Sequence, residues 1–165
     1  MKNKYKVGDK IVELGQVFRI FKIKEEKIDD GKLGKVIYFK PYYKTEDIRS
    51  ITCSIPAKSI EKTFIRRPIS IEELNNLVVL LKKRRRDETE IDVNKAKMLL
   101  KTNDPADAVK LIYILQKEMK REKENFSKSK KGIFKDAIDL LVQEFALVGK
   151  ISLDKARENI YSALQ

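Results

Sequence analysis

The sequence predicts an α+β chain: a small N-terminal β-barrel followed by a C-terminal all-α bundle of about five helices. Three observations predict it. Up to Pro68, short β-branched and aromatic runs alternate with polar residues at a period of two. Beyond Pro68 the apolar stripes recur at helical spacing. Glycine and proline punctuate the first part, whereas serine and aspartate helix caps punctuate the second. The modules are drawn as 1–66 and 67–165.

Taken in order, Lys10–Leu14 reads as a first strand, and Gly15-Gln16 separates it from a second at Val17–Ile23. In that run Phe18 and Ile20 alternate with Arg19, but Phe21 and Ile23 fall on the opposite phase, so a bulge near Phe21 is expected. Glu25–Lys32 reads as a charged connection ending in the turn signal Asp30-Gly31. Lys35–Lys40 is a third strand, stopped by Pro41. Arg49–Ile55 alternates with Ile51, Cys53 and Ile55 on one face and Ser50, Thr52 and Ser54 on the other, and Pro56 stops it. Four or five such strands with tight turns belong to the SH3- or Tudor-like size class, whose edge strands can accept a strand from a partner.

In the second half, Ser70-Ile71-Glu72-Glu73 is a capping box ahead of a stripe of Ile71, Leu74, Leu77, Val78 and Leu81. This helix is expected to end in the run Lys82-Lys83-Arg84-Arg85-Arg86. After a break at 86–90 comes a helix with Val93, Ala96, Leu99 and Leu100 inside. Asp104 as N-cap and Pro105 at the first helical position open a third, with Ala108, Leu111, Ile112, Leu115 and Met119 inward. Ser127 and Ser129 are candidate caps for a fourth, with Phe134, Ile138, Leu141, Val142, Phe145 and Val148 inward and Gly149 as its C′ residue. Ser152 caps a last helix carrying Ala156, Ile160 and Leu164.

Composition narrows the function. The net charge is +12 over 165 residues, of which 38% are charged, so the partner expected is a polyanion. No apolar run reaches the roughly 18–20 residues that span a bilayer, and the charged N-terminus leads into no apolar signal segment. A cytoplasmic, nucleoid-associated monomer is expected. The chain has one cysteine and no histidine, so internal disulfides, the common zinc sites and histidine acid–base catalysis are all excluded. The six glycines are scattered and form no phosphate-binding loop. Neither catalysis nor a cofactor or metal is expected.

The run Lys82, Lys83, Arg84, Arg85 and Arg86 exceeds what a helix dipole asks of its C-terminus. Together with Lys95, Lys97 and Lys101 on the polar side of the next helix, it forms the candidate DNA-binding set, contacting phosphates without reading bases. A second cluster (Lys117, Lys120, Arg121, Lys123, Lys128, Lys130 and Lys131) is offset by Glu118, Glu122 and Glu124 and reads as solvated intrahelical pairs.

With both halves placed, the chain resembles the CarD/CdnL family of bacterial transcription regulators. Tyr5-Lys6-Val7-Gly8-Asp9 with Ile11-Val12 is similar to that family's opening strand, and Ser54-Ile55-Pro56 to its strand end before the linker. Leu99–Asp104, followed by Ala108-Val109 and Leu111–Leu115, is similar to its second turn and following helix. Ala137–Ala146 is similar to its penultimate helix. The resemblance implies a Tudor-like domain that docks on RNA polymerase, on the β subunit, and a helical domain that contacts promoter DNA. The polymerase contact is expected on the edge strand before the linker, at Arg49, Ile51, Thr52, Cys53 and Ser54. The departures are specific: Glu13-Leu14-Gly15-Gln16 stands where the family has Tyr-Pro and His-Gly. There is no tryptophan for the family's wedge, whose equivalent falls near Thr89, and a common polymerase-facing arginine falls near Ser54. The alternative is an RNA- or ribosome-associated protein that uses the β module as a stacking platform, with Tyr38, Phe39, Tyr42 and Tyr43 as candidates, Phe39 better suited to the core.

Overall fold

The computed structural model describes residues 5–28, 31–43, 51–83 and 90–165. The chain divides into two compact units, Met1–Pro68 and Ile69–Gln165. The first holds a four-stranded antiparallel sheet and the second the helices, so the architecture is α+β. Arg67 and Pro68, placed in the second module on sequence, fall in the first unit. Arg67 stands 3.5 Å from the Asp9 carboxylate and lies over the Tyr5 ring.

The sheet comprises β1 (Lys10–Glu13), β2 (Gln16–Lys27), β3 (Leu33–Pro41) and β4 (Cys53–Pro56), ordered as they follow in the chain. Each pair is antiparallel, as short connections allow. The register of β2 against β3 shifts between Ile20 and Lys22, which puts a bulge at Phe21 as the phase change predicts. β2 runs on to Lys27, correcting the reading of Glu25–Lys32 as a connection. Glu25, Glu26 and Lys27 pair with Lys35, Gly34 and Leu33, because an antiparallel sheet can leave polar side chains in solvent while its backbone ladder is completed. The turn itself is tighter: Ile28 accepts from Gly31 at 2.7 Å, and Gly31 takes φ 73°, a conformation that suits glycine.

The sheet core gathers Tyr5, Ile11, Phe18, Ile20, Ile37 and Phe39 with Ile60 and Ile65. Ile60 comes from a 3-10 turn at Ile60–Lys62, after which the chain returns to the β1 edge, where Val12 and Arg66 exchange backbone hydrogen bonds of 2.8 and 3.1 Å. β4 begins at Cys53, so Ile51 does not share its inward face as expected. It precedes the strand and is 49% exposed.

The helices are α1 (Ile71–Lys82), α2 (Val93–Lys101), α3 (Pro105–Glu122), α4 (Lys128–Gly149) and α5 (Leu153–Ala163). The caps follow the sequence. Ser70 and Glu73 form a reciprocal capping box, and Asp104 accepts from Ala106 with Pro105 behind it. Ser127 rather than Ser129 caps α4, and Ser152 caps α5. Asp92 caps α2 by accepting from both Asn94 and Lys95. Buried Leu111, Ile112, Leu115, Ile138, Leu141 and Ile160 form the centre of the bundle. Each such side chain contributes about 1.5–3 kcal/mol by leaving water.

Four positions depart from expectation. Ile71 is 57% exposed, because the first turn of a helix overhangs its neighbours. On α4 Ile133 is buried and Phe134 only half-buried, although each heads an i, i+4 row that is buried further along, Ala137–Leu141–Phe145 and Ile138–Val142–Ala146. Gly149 is the last helical residue, and the left-handed cap is Lys150 at φ 53°, ψ 43°. Finally, α1 stops at Lys82, and Lys83 is already extended at φ −75°, ψ 123°. A helix continued through the basic run would set Lys82 one turn from Arg85 and Arg86, a like-charge stack.

Candidate nucleic-acid interface

The cations of the helical unit are placed by apolar neighbours. Ala96 is buried and Val93, Leu99 and Leu100 are half-buried where α2 packs against α3 and α4. That seating turns Lys95, Lys97 and Lys101 to solvent, with Lys97 and Lys101 one turn apart. Lys82 and Lys83 are exposed too, and Lys82 borders an open groove of about 350 Å³ lined also by Leu81, Phe145 and Ile160. Arg84, Arg85 and Arg86, like Thr89, lie outside the described residues.

The sequence on either side of that run is anchored. Leu81 before it and Ile91 after it are 4% exposed. Ile91 donates its backbone N–H at 2.7 Å to the carboxylate of Glu118, a residue only 1% exposed. The other Glu118 oxygen accepts from the Lys130 ammonium at 2.5 Å. This corrects the reading of the second basic cluster as solvated intrahelical pairs, because Glu118–Lys130 joins α3 to α4, with Glu118 buried and Lys130 half-buried. Arg121 likewise reaches off its own helix, 2.6 Å from Glu90, as well as to Glu122 at 3.2 Å. A second carboxylate, Glu144, is 0% exposed and accepts the N–H of Ile69 at 2.8 Å. Both glutamates sit on their helices' apolar stripes, Glu118 after Ile114 and Leu115 and Glu144 after Leu141. That spacing was the available signal for their burial.

In the sheet unit, β4 is an edge strand. Thr52 and Ser54 are exposed, and Ser54 stands opposite Tyr38 of β3. Cys53 turns towards the core, where burial, and secondarily the Glu13 charge, pushes its thiol above the ordinary value. Arg49 lies outside the described residues. Of the aromatic candidates, Phe39 is core at 3% exposed. Tyr38 donates its hydroxyl to Glu26 at 2.6 Å, a bond that raises the phenol and lowers the carboxyl. Tyr42 and Tyr43 meet edge to face at 5.0 Å, and Tyr42 is 42% exposed.

Among the described residues no group of three or more histidine, cysteine or acidic side chains could hold a metal ion, and no helix is long and apolar enough to cross a membrane. No family model matches the chain, and no curated protein matches it in sequence.

Proposed function

We propose that this protein is a non-catalytic, two-module transcription regulator. Its sheet unit, of SH3- or Tudor-like type, docks on RNA polymerase through the β4 edge, and its helical unit contacts the backbone of duplex DNA. The observation that carries this reading is the exposed lysine set of α2. Lys95, Lys97 and Lys101 are all turned to solvent, Lys97 and Lys101 one turn apart, and the set follows the run Lys82–Arg86 by nine residues. The polar edge at Thr52 and Ser54, in a unit of its own, supports a separate protein contact. The resemblance to the CarD/CdnL family supports the identity of the partner.

Such a protein stabilises an opened promoter simply by binding the open complex better than the closed one, and a differential of about 1.4 kcal/mol is tenfold. Lysine contacts to phosphates carry no base information, so binding is largely sequence-independent. Contact with about four to six phosphates gives a log–log salt slope of roughly −4 to −5. Two assays on the full chain test the reading. In duplex binding, Lys97→Glu with Lys101→Glu lowers the slope by about 2, and a slope near zero in the parent chain refutes DNA contact. In capture of purified bacterial RNA polymerase, Thr52→Glu with Ser54→Glu abolishes retention, and failure of the parent chain to retain polymerase refutes the docking.

A further inference from the structure

The sheet turns one face to its core. On the other, Val12, Val17 and Val36 are buried while Arg19, Lys22 and Lys40 are exposed, and these exposed residues have an order that duplex contact by α2 does not use. Lys10 of β1 stands opposite Arg19 of β2, and Arg19 stands opposite Lys40 of β3. Directly opposed residues share a face, so three cations form one row across three strands. Arg19 and Lys40 are exposed and Lys10 half-buried. Like charges directly opposed in a sheet are destabilising, so the mutual repulsion of the row works against folding.

Beside the row the β2 bulge supplies aromatic surface. Ile20 pairs with Phe39 and Lys22 with Tyr38, leaving Phe21 as the extra residue. A bulge re-aims side chains. Here it sets Phe21, 37% exposed, with its ring centre 6.4 Å from that of Tyr38 on the face away from the core. Cations and rings then alternate. The Lys40 ammonium is 5.3 Å from the Phe21 ring centre, that of Lys22 is 5.3 Å from Tyr38, and that of Lys10 is 5.6 Å from Tyr42.

We propose that this face binds a single-stranded nucleic acid, with bases stacking on Phe21 and Tyr38 and phosphates following the Lys10–Arg19–Lys40 row. The alternation selects the ligand. Cations alone would accept any polyanion, and rings alone any apolar surface, but rings set among cations suit a strand whose bases are unpaired beside its phosphates. Duplex DNA has no free base face to offer them. In the unbound protein the ammonium groups rest over the rings, an exposed and weak contact. A stacking base displaces them towards the phosphates. Glu26 holds the Tyr38 hydroxyl at 2.6 Å and is a positioning residue for that ring. None of these residues belongs to the α2 set, so the site stands or falls apart from the proposed duplex contact.

The test uses the full chain and fluorescein-labelled oligo(dT) and oligo(rU) of roughly 12 nucleotides, read by anisotropy. At least one oligonucleotide binds, and a preference between them assigns the sugar. Phe21→Ala weakens binding about tenfold. Arg19→Glu with Lys40→Glu weakens it at least as much and reduces the salt slope by about 1.4. Lys97→Glu with Lys101→Glu leaves it within about twofold while weakening duplex binding and lowering the duplex salt slope by about 2. Should Phe21→Ala fail to fold by circular dichroism, the Arg19/Lys40 pair and Phe21→Leu carry the measurement. The proposal is overturned if neither oligonucleotide binds, if unlabelled duplex competes as well as single strand, or if binding follows Lys97 and Lys101 and ignores Phe21.

Discussion

In the helical unit Glu118 and Glu144 are 1% and 0% exposed, and each accepts a backbone N–H from a segment leading into a helix. In the sheet unit Arg19, Lys22 and Lys40 are exposed, and Arg19 and Lys40 oppose each other across neighbouring strands. The two units therefore use charge in opposite ways. Helices brought together by apolar stripes leave chain segments entering between them, and a backbone N–H buried there needs an acceptor. A sheet completes its own ladder, so its side chains are left for the surface. Buried carboxylates are structural in the helical unit, whereas the opposed cations of the sheet unit stay at the surface.

The sharpest way to break this contrast is to remove a buried carboxylate. Glu118→Ala leaves the Lys130 ammonium and the Ile91 N–H without their partner and is expected to cost about 3–5 kcal/mol. Urea unfolding followed by far-ultraviolet circular dichroism, which reports the helices, measures it. A cost below about 1 kcal/mol would place Glu118 with ordinary surface pairs. Glu144→Ala removes an acceptor from Ile69 and is expected to cost about 1–3 kcal/mol.

In the sheet unit the backbone, not charge, is the sensitive point. Gly31→Ala forces a side chain into the left-handed turn at φ 73° and is expected to cost roughly 1–2 kcal/mol, read from the tyrosine fluorescence that a chain without tryptophan provides. Arg19→Gln, by contrast, relieves a like-charge row and is expected to raise stability by less than about 0.5 kcal/mol. A loss above 1 kcal/mol would make the row structural after all.

The smallest effect concerns Cys53. Burial raises its thiol, so at a given pH less of it is thiolate and it reacts with a disulfide reagent more slowly than free cysteine. Its reactivity profile is displaced to higher pH. The stability linked to the neutral thiol is present below the ordinary cysteine range and is lost as pH rises through the folded value. A profile matching free cysteine would mean that the β4 strand does not turn Cys53 inward.

Much of this was legible from spacing. The phase change at Phe21 announced the bulge, the capping box at Ser70 and the Asp104-Pro105 pair marked two helix starts, and the lysines of α2 fell on its polar side. Less legible was anything set by a second element. Reading Glu118 by its charge put it in solvent, although its place after Ile114 and Leu115 put it inside. Lys10, Arg19 and Lys40 are nine and twenty-one residues apart along the chain, and only strand register sets them in line. The helix expected to run through Lys82–Arg86 stopped at Lys82, since like charges one turn apart weigh against continuing it.

By itself, then, the sequence determined the two units, the type of nearly every element and the excess of positive charge. These follow from the period of apolar residues within a segment and from cap and turn chemistry, which act over a few neighbouring residues. Tertiary structure decided which charges are inside and which cations share a face with which rings. Those depend on register and packing between segments distant in the chain, and a one-residue change in strand register sends a side chain to the other face of the sheet.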